Sequence, residues 1–386
     1  MCRASSVITG AGLYIHIPFC RTKCGYCAFN SSAWSGAEGP LGYLDAVVVE
    51  LERVVDSWGG DVEFATLFIG GGTPTIYGGD SLAAVIGQAL RRLHWCDDPE
   101  ITVETNPNTV TRSNLTALRG AGVNRLSIGV QSFVDHELAS IGRSHSSAGA
   151  VAALTLAREV GFSNLNLDLI YGLPGQDQAV WRDSLITALD LEPEHLALYE
   201  LSVEPGTPFA ERAARGELLL PEDDTLADME ALAQEELEGH GYQRYEISNF
   251  ARPGLTCRHN LNYWHNGSYL GLGAGAVSCL DGLRLKNVDD PDGYQARIAA
   301  GLPAFHEGEA LSCEASFRES VIMGLRLLEG VSLASLWARY GLTPLAYYGA
   351  TLERLLERGL VEIVNGQMRL TKKALPVAHQ VLSYLV

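Results

Sequence analysis

Short apolar runs along the chain alternate with longer stretches in which apolar residues recur every three or four positions. The runs at 13–17, 64–69, 101–104, 125–130, 165–171 and 195–201 carry few charges and read as strands covered on both faces. Between them, 43–55, 81–93, 113–119, 148–160 and 180–189 show helical spacing. This alternation predicts parallel β/α units with right-handed crossovers, in a barrel or an open sheet. Glu104, Gln131 and Asp168 fall within or just after an apolar run, toward its carboxyl end. In a β/α barrel that end carries the chemistry.

Beyond 201 the pattern changes. Residues 217–238 hold nine acidic residues and no basic one, and Leu226, Met229, Leu232 and Leu237 are spaced along one helix face. A solvated outer helix is expected there. Residues 242–250 read as one more strand, and 251–285 loosen into a Gly-rich, aromatic stretch. Later, helical patterns at 317–328, 333–339 and 352–358 precede a hairpin of 361–364 and 368–370 about Asn365-Gly366. Helices followed by a small hairpin describe a winged-helix-like module. The organisation expected is therefore 1–250, a segment 251–307, and a carboxyl-terminal module 308–386.

A length of 386 residues suits two or three domains with ample core. The net charge of -18 argues against a general nucleic-acid or anionic-membrane binder, because such surfaces need a basic footprint. From 310 to the end, eight Lys/Arg against six Asp/Glu leave too little excess for a DNA-binding wing. Eight cysteines, three of them clustered, fit a reducing, cytoplasmic setting with metal chemistry better than a disulfide scaffold. The first twelve residues have one arginine and no apolar core, and no stretch approaches ~20 apolar residues. Neither a signal peptide nor an integral membrane segment is expected.

The clustered cysteines are Cys20, Cys24 and Cys27, on a loop entered from 13–17 through Pro18, with Gly25 easing the turn. Thiolates so placed suit soft metals. An iron-sulfur cubane normally takes four thiolates. Three from one loop would leave one iron with open positions for a small molecule, as catalytic zinc sites keep a position open. A structural zinc held by these three and His16 is the alternative, although His16 alternates with Ile15 and Ile17 as a strand residue would.

The spacing C-x3-C-x2-C, entered from YIHIPFC, resembles the radical S-adenosylmethionine superfamily. The likeness extends to the HemN and HemW family, related to oxygen-independent coproporphyrinogen III dehydrogenase. Its motifs occur in order as YIHIPFC at 14–20, GGGTPT at 70–75, VETNP at 103–107, GVQSF at 129–133 and DLIYGLPGQ at 168–176. The resemblance implies an α/β fold, a partial (β/α)6-type radical SAM barrel with a small winged-helix-like carboxyl-terminal domain. It implies a 4Fe-4S cluster on Cys20, Cys24 and Cys27, and S-adenosylmethionine contacts at Tyr14, Gly71, Gly72, Thr73, Glu104, Gln131, Arg143 and Asp168. These assignments make chemical sense: glycines admit a ligand to the backbone, carboxylates suit an ammonium or ribose hydroxyls, and an arginine suits a carboxylate. Lacking a following G-K-[ST], the glycine run is not a P-loop.

Within the family two places discriminate. The porphyrinogen dehydrogenase typically has a fourth cysteine where this chain has Phe29. The HemW branch, described as haem-binding chaperones, resembles this chain at Cys27-Ala28-Phe29-Asn30-Ser31 and at His259-Asn260-Leu261-Asn262-Tyr263-Trp264. That resemblance implies haem, with His259 as an axial ligand, and haem-accepting partner proteins; a homodimer is left open. A neutral imidazole suits haem iron and the aromatics offer flat apolar surface. From the residues alone, His259 capping a loop while the aromatics pack the barrel is the alternative. Cys257 is a second candidate iron ligand. Ala28 stands where many HemW sequences have aspartate, and Val277 where relatives commonly have histidine, which leaves a second haem ligand unassigned. The run 271–277 has no flanking strand and helix of the dinucleotide-binding kind. The functional expectation is a haem carrier rather than a coproporphyrinogen oxidase, with the question of enzymatic activity left open. Oxidative decarboxylation of coproporphyrinogen III is the runner-up, and a zinc-stabilised interaction module the third reading.

Overall fold

A computed structural model describes residues 8–36, 39–58 and 62–386, so most of the amino-terminal stretch considered above for a leader lies outside the described residues. The expected alternation is present as β1 (Ile8–Ile17), α1 (Tyr43–Trp58), β2 (Val62–Gly71), α2 (Gly79–Arg92), β3 (His94–Thr105) and α3 (Arg112–Gly120). It continues through β4 (Arg125–Gln131), α4 (Ser147–Val160), β5 (Leu165–Tyr171), α5 (Gln178–Asp190) and β6 (His195–Glu200). Strands β1 to β6 lie side by side in chain order, each parallel to the next.

The period-two alternation of the strands decides the curvature and its contents. Leu13, Ile15, Ile17, Leu67, Ile69, Val103 and Leu126 are buried in one apolar cluster with Tyr43, Val47, Leu51, Leu82, Ile86, Leu115 and Leu118 of the helices. Ile128, Leu167, Leu169, Trp181, Leu185 and Met229 form a second. Each such side chain stabilises the fold by roughly 1.5–3 kcal/mol through loss of water contact. The intervening residues, among them Arg125, Ser127, Gly129 and Gln131 of β4, are left to the concave side. Thr111, Ser146 and Asp177 cap α3, α4 and α5 by accepting from Asn114, Gly149 and Val180 backbone N–H groups, which ends each loop of the mouth at a defined residue.

The acidic stretch forms α6 (Asp223–Gly239), buried through Met229, Ala233 and Leu237. The strand expected over 242–250 is broken into β7 (Gln243–Arg244) and β8 (Asn249–Ala251), with β8 antiparallel to β6. The break is a turn in which Arg244 Nε donates to the Ile247 carbonyl at 3.1 Å and Glu246 Oε1 accepts from Ser248 N at 3.0 Å.

The loose segment 251–307 contributes to the same sheet. It contains α7 (Arg258–Trp264), β9 (Tyr269–Leu272), β10 (Val277–Leu280), β11 (Leu283–Asn287), α8 (Pro291–Ala299) and the start of β12 (Phe305–Ala310). Strand β9 runs parallel to β1 on the side opposite β2, and β10, β11 and β12 follow antiparallel, giving a sheet of twelve strands. Glu50 of α1 clasps this extension: its carboxylate accepts from Gly273 N at 2.8 Å, Asn287 Nδ2 at 2.7 Å and the Tyr294 hydroxyl at 2.7 Å.

The carboxyl-terminal part includes α9 (Cys313–Gly324), β13 (Val331–Ser332), α10 (Leu333–Tyr340), α11 (Ala350–Glu357) and the hairpin β14 (Val361–Val364) with β15 (Gln367–Leu370). Phe317, Val321, Leu336, Leu352, Leu355 and Met368 form its core. Asn365 and Gly366 both have positive φ, the requirement of the tight hairpin turn. The winged-helix-like arrangement is thus present. Among the described residues, no helix is long and apolar enough to cross a membrane.

Candidate functional site

The cysteine loop is held at both ends by backbone. Phe19–Cys20 pairs with Ser32–Ala33, Trp34 N donates to the Cys20 carbonyl at 2.7 Å, and Lys23 Nζ donates to the Phe29 and Ser31 carbonyls at 3.1 and 2.8 Å. The middle is tied to the opposite rim: Gly25 N donates to Ile141 O at 3.2 Å, and Phe209 N donates to Gly25 O at 3.0 Å. Cys20, Cys24 and Cys27 line one cavity of about 490 Å³ together with Gly71, Gly72, Thr73, Glu104, Gln131, Arg143 and Asp168. Burial raises the Cys20 thiol pKa, and the nearby Cys27 and Cys24 raise it further, so the three sulfurs act on one another. Thr73 Oγ1 reaches Cys20 Sγ at 3.7 Å and Arg143 Nη1 reaches Cys24 Sγ at 3.7 Å, two donors placed to stabilise sulfur charge.

Three soft ligands facing a cavity, backed by N–H and O–H donors, fit a cluster that leaves one metal open to a small molecule. His16 does not complete a zinc site. Its Nε2 donates to the Asn30 carbonyl at 2.8 Å and its Nδ1 lies 2.9 Å from the Tyr14 hydroxyl, so both nitrogens are engaged away from the thiols. The same contact fastens the end of the cysteine loop, since Asn30 Nδ2 in turn donates to the carbonyls of Ala274 at 3.3 Å and Asp289 at 3.0 Å.

The residues expected to meet S-adenosylmethionine gather at this mouth, with one exception. Gly71 has φ +111, and its N–H donates to Glu104 Oε2 at 3.0 Å. A Cβ on Gly72 would lie 2.5 Å from the Phe19 carbonyl oxygen, so only glycine lets β2 run this close to the cysteine loop. Gln131 adopts φ +71, uncommon for a residue with a Cβ, at a register shift between β4 and β5. Arg143 also donates to the Gly129 carbonyl. Burial and then the charge of Asp168 push the Glu104 carboxyl up to about 7, and burial raises Asp168 as well. Two carboxylates that resist ionising together are suited to a cationic ligand. Tyr14 is the exception: it does not line the cavity, and is joined to His16 and near the rings of Phe68 and His259.

A second chamber of about 460 Å³ shares Cys27, Phe29, Glu104, Gln131 and Asp168 with the first and runs into the concave interior. Its walls include Phe68, Ile170 and Tyr199, and its inner end Arg125, Asn166, His195, Asn249 and Asn260. His259 does not reach it. The ring is 1% exposed, stacks on Phe68, and hydrogen-bonds through Nδ1 to Thr66 Oγ1 at 2.7 Å and through Nε2 to the Tyr263 hydroxyl at 3.1 Å. Burial, then the charge of Arg125, lowers its pKa to about 3. Cys257 is likewise closed in, fully buried with Sγ 3.6 Å from Glu100 Oε1 and its thiol pushed up to about 12, first by burial. From the HNLNYW stretch it is Asn260 that faces the chamber. Neither Arg125 nor Asn260 stood out in the sequence; a charge in register with Ser127, Gly129 and Gln131 along an apolar run was the available signal.

Comparison with known proteins agrees with this geometry. The Radical SAM superfamily model matches residues 14–185 and the HemN C-terminal domain model residues 311–377. A Bacillus subtilis protein named heme chaperone HemW is 37% identical, the likeness covering 95% of this chain and 97% of that protein. The Escherichia coli protein of the same name is 41% identical over 73% of this chain and 75% of its own. A mouse protein named radical S-adenosyl methionine domain-containing protein 1, mitochondrial, is 33% identical over 99% of this chain and 88% of its own. Among solved structures, the Escherichia coli coproporphyrinogen III oxidase HemN, described as a radical SAM enzyme, superposes with a TM-score of 0.85 at 25% identity, covering 98% of this chain and 90% of that one. With a radical SAM barrel around three clustered thiols, a HemN-type carboxyl-terminal domain and relatives matched along nearly its whole length, this chain belongs to the HemW family of the radical SAM superfamily.

Proposed function

We propose that this protein is a haem carrier of the radical SAM type, which takes up haem and passes it to haem-dependent proteins in the cytoplasm. In this reading Cys20, Cys24 and Cys27 hold a 4Fe-4S cluster. Gly71, Gly72, Thr73, Glu104, Gln131, Arg143 and Asp168 bind S-adenosylmethionine, with Tyr14 backing them through His16. When bound, cluster and S-adenosylmethionine together supply one-electron chemistry, and the chain supplies orientation and shelter from water.

The observation that carries the reading is the likeness, over 95% of the chain, to a relative named a heme chaperone, combined with Phe29 on the cavity wall where a fourth thiol would mark the porphyrinogen oxidase. The test is addition of haem to the purified, cluster-loaded protein. A Soret shift is expected; its absence refutes the reading. His259 enters as an axial ligand only in a state where its ring has left Thr66 and Tyr263. Loss of the shift in His259→Ala supports that role, and an unchanged shift removes it. The superposition on HemN favours one second reading, decarboxylation of coproporphyrinogen III. It requires protoporphyrinogen to form under anaerobic, reducing conditions, and cleavage of S-adenosylmethionine without that product dismisses it.

A further inference from the structure

The inner chamber has an unusual floor. Arg125 opens β4 with its side chain on the concave side, is 2% exposed, and borders the chamber. Its Nε is buried without a hydrogen-bond partner. Burial opposes its charge, while the carboxylates of Glu100 and Asp168 favour it through space, and the balance keeps the guanidinium charged. Thr102, its register partner on β3, is fully buried with an unpartnered hydroxyl, and Asn249, on the same floor, has an unpartnered Oδ1. Buried polar atoms are normally paired, and a buried charge more strictly so. Of these residues Arg125 carries the charge and borders the chamber, so its guanidinium is the group that a ligand reaching the floor would meet.

The charge distribution says what kind of group that is. Glu104 and Asp168 stand where the two cavities meet, Glu200 and Glu204 also line the chamber, and Arg125, the arginine among its lining residues, is at the far end. Phe68, Ile170 and Tyr199 line the span between, with Phe29 at the entrance. An apolar body bearing an anionic arm fits this order, arm inward. Arginine is the side chain suited to a carboxylate, which accepts two parallel N–H bonds.

We infer that Arg125 is the carboxylate anchor of the inner chamber, receiving a propionate of the haem whose ring lies against Phe68, Ile170 and Tyr199. The inference rests on the haem reading above. The carboxylate of S-adenosylmethionine is the other source of the same chemistry, and the experiment separates the two.

Full-length, cluster-loaded protein is titrated with haem and with haem whose two propionates are methyl esters, following the Soret band; S-adenosylmethionine affinity is measured alongside. Wild type is expected to bind the acid roughly tenfold or more tighter than the ester, the worth of a charge-assisted bond. Arg125→Met is expected to bind the acid as weakly as the ester while keeping its affinity for S-adenosylmethionine, and Arg125→Lys to restore part of the preference. Equal binding of acid and ester by wild type, which needs no variant, overturns the inference and leaves the haem reading standing. So does an Arg125→Met protein that keeps the preference or loses S-adenosylmethionine instead. Binding of neither porphyrin overturns the haem reading itself, and this inference with it.

Discussion

Replacing Gly72 by alanine tests how closely the glycine run and the cysteine loop depend on each other. The added Cβ would sit 2.5 Å from the Phe19 carbonyl oxygen and 2.8 Å from its carbonyl carbon and nitrogen, all backbone atoms that cannot swing aside. Reaching ordinary contact requires a separation greater by about 0.9 Å. Phe19 immediately precedes Cys20, and its carbonyl accepts from Thr73 N at 2.7 Å, while Gly72 N donates to the Ile17 carbonyl at 2.8 Å. Forced movement therefore strains two backbone hydrogen bonds and displaces one sulfur of three. Overpacking of this kind costs roughly 1–3 kcal/mol. The melting temperature should fall by only about 1–4 °C in a chain of this size, with the fold retained. The function should suffer more: less iron and sulfide retained after anaerobic reconstitution, and S-adenosylmethionine bound roughly tenfold more weakly. Gly120→Ala serves as control, because nothing lies within 4 Å of its Cβ. A Gly72→Ala protein with wild-type cluster content and wild-type affinity would refute the argument.

Glu104→Gln should remove a pH dependence: with the carboxyl at about 7, the charged form that attracts a cationic ligand grows as pH rises from 6 to 8, so wild-type S-adenosylmethionine affinity should rise across that window and the variant's should stay flat. Glu50 bears on stability instead. Burial raises its pKa to about 7 from an ordinary carboxylate value, so the fold binds the proton more tightly than the unfolded chain, and the stability this gives is fully present at low pH and lost as pH rises through about 7. The loss is roughly 3 kcal/mol, and melting curves of Glu50→Gln between pH 5 and 8 should show a correspondingly smaller decline than wild type. Asn30→Ala releases the cysteine loop from Ala274 and Asp289, each bond worth about 1 kcal/mol, and should speed loss of the cluster absorbance in air without altering the far-ultraviolet circular dichroism spectrum.

The six β/α units were legible because their strands are buried on both faces and read as unbroken apolar runs. Strands β9 to β12 were not. They are four to six residues long, and β12 is exposed at every position, so neither length nor alternation marks them. Their place is set by Glu50, some two hundred residues away in sequence, a contact no local pattern announces. At the mouth, cysteines, glycines and carboxylates were readable as residue types at strand ends, and all but Tyr14 line the cavity. His259 shows the limit of such reading: an imidazole beside two aromatics has the composition of a ligand, yet Thr66 and Tyr263 occupy both nitrogens. Arg125 shows the converse, a charge inside an apolar run whose setting becomes visible only when the concave side closes around it.

The central claim is that Cys20, Cys24 and Cys27 hold a cluster with one iron left for S-adenosylmethionine. Its most direct test is electron paramagnetic resonance of the anaerobically reconstituted, reduced protein, with iron and sulfide analysis, before and after S-adenosylmethionine is added. The account predicts about four iron and about four sulfide per chain, a spectrum that changes on addition, and loss of both when the three cysteines become serine. A full complement of iron and sulfide in the triple-serine protein, or a cluster spectrum indifferent to S-adenosylmethionine, would contradict it.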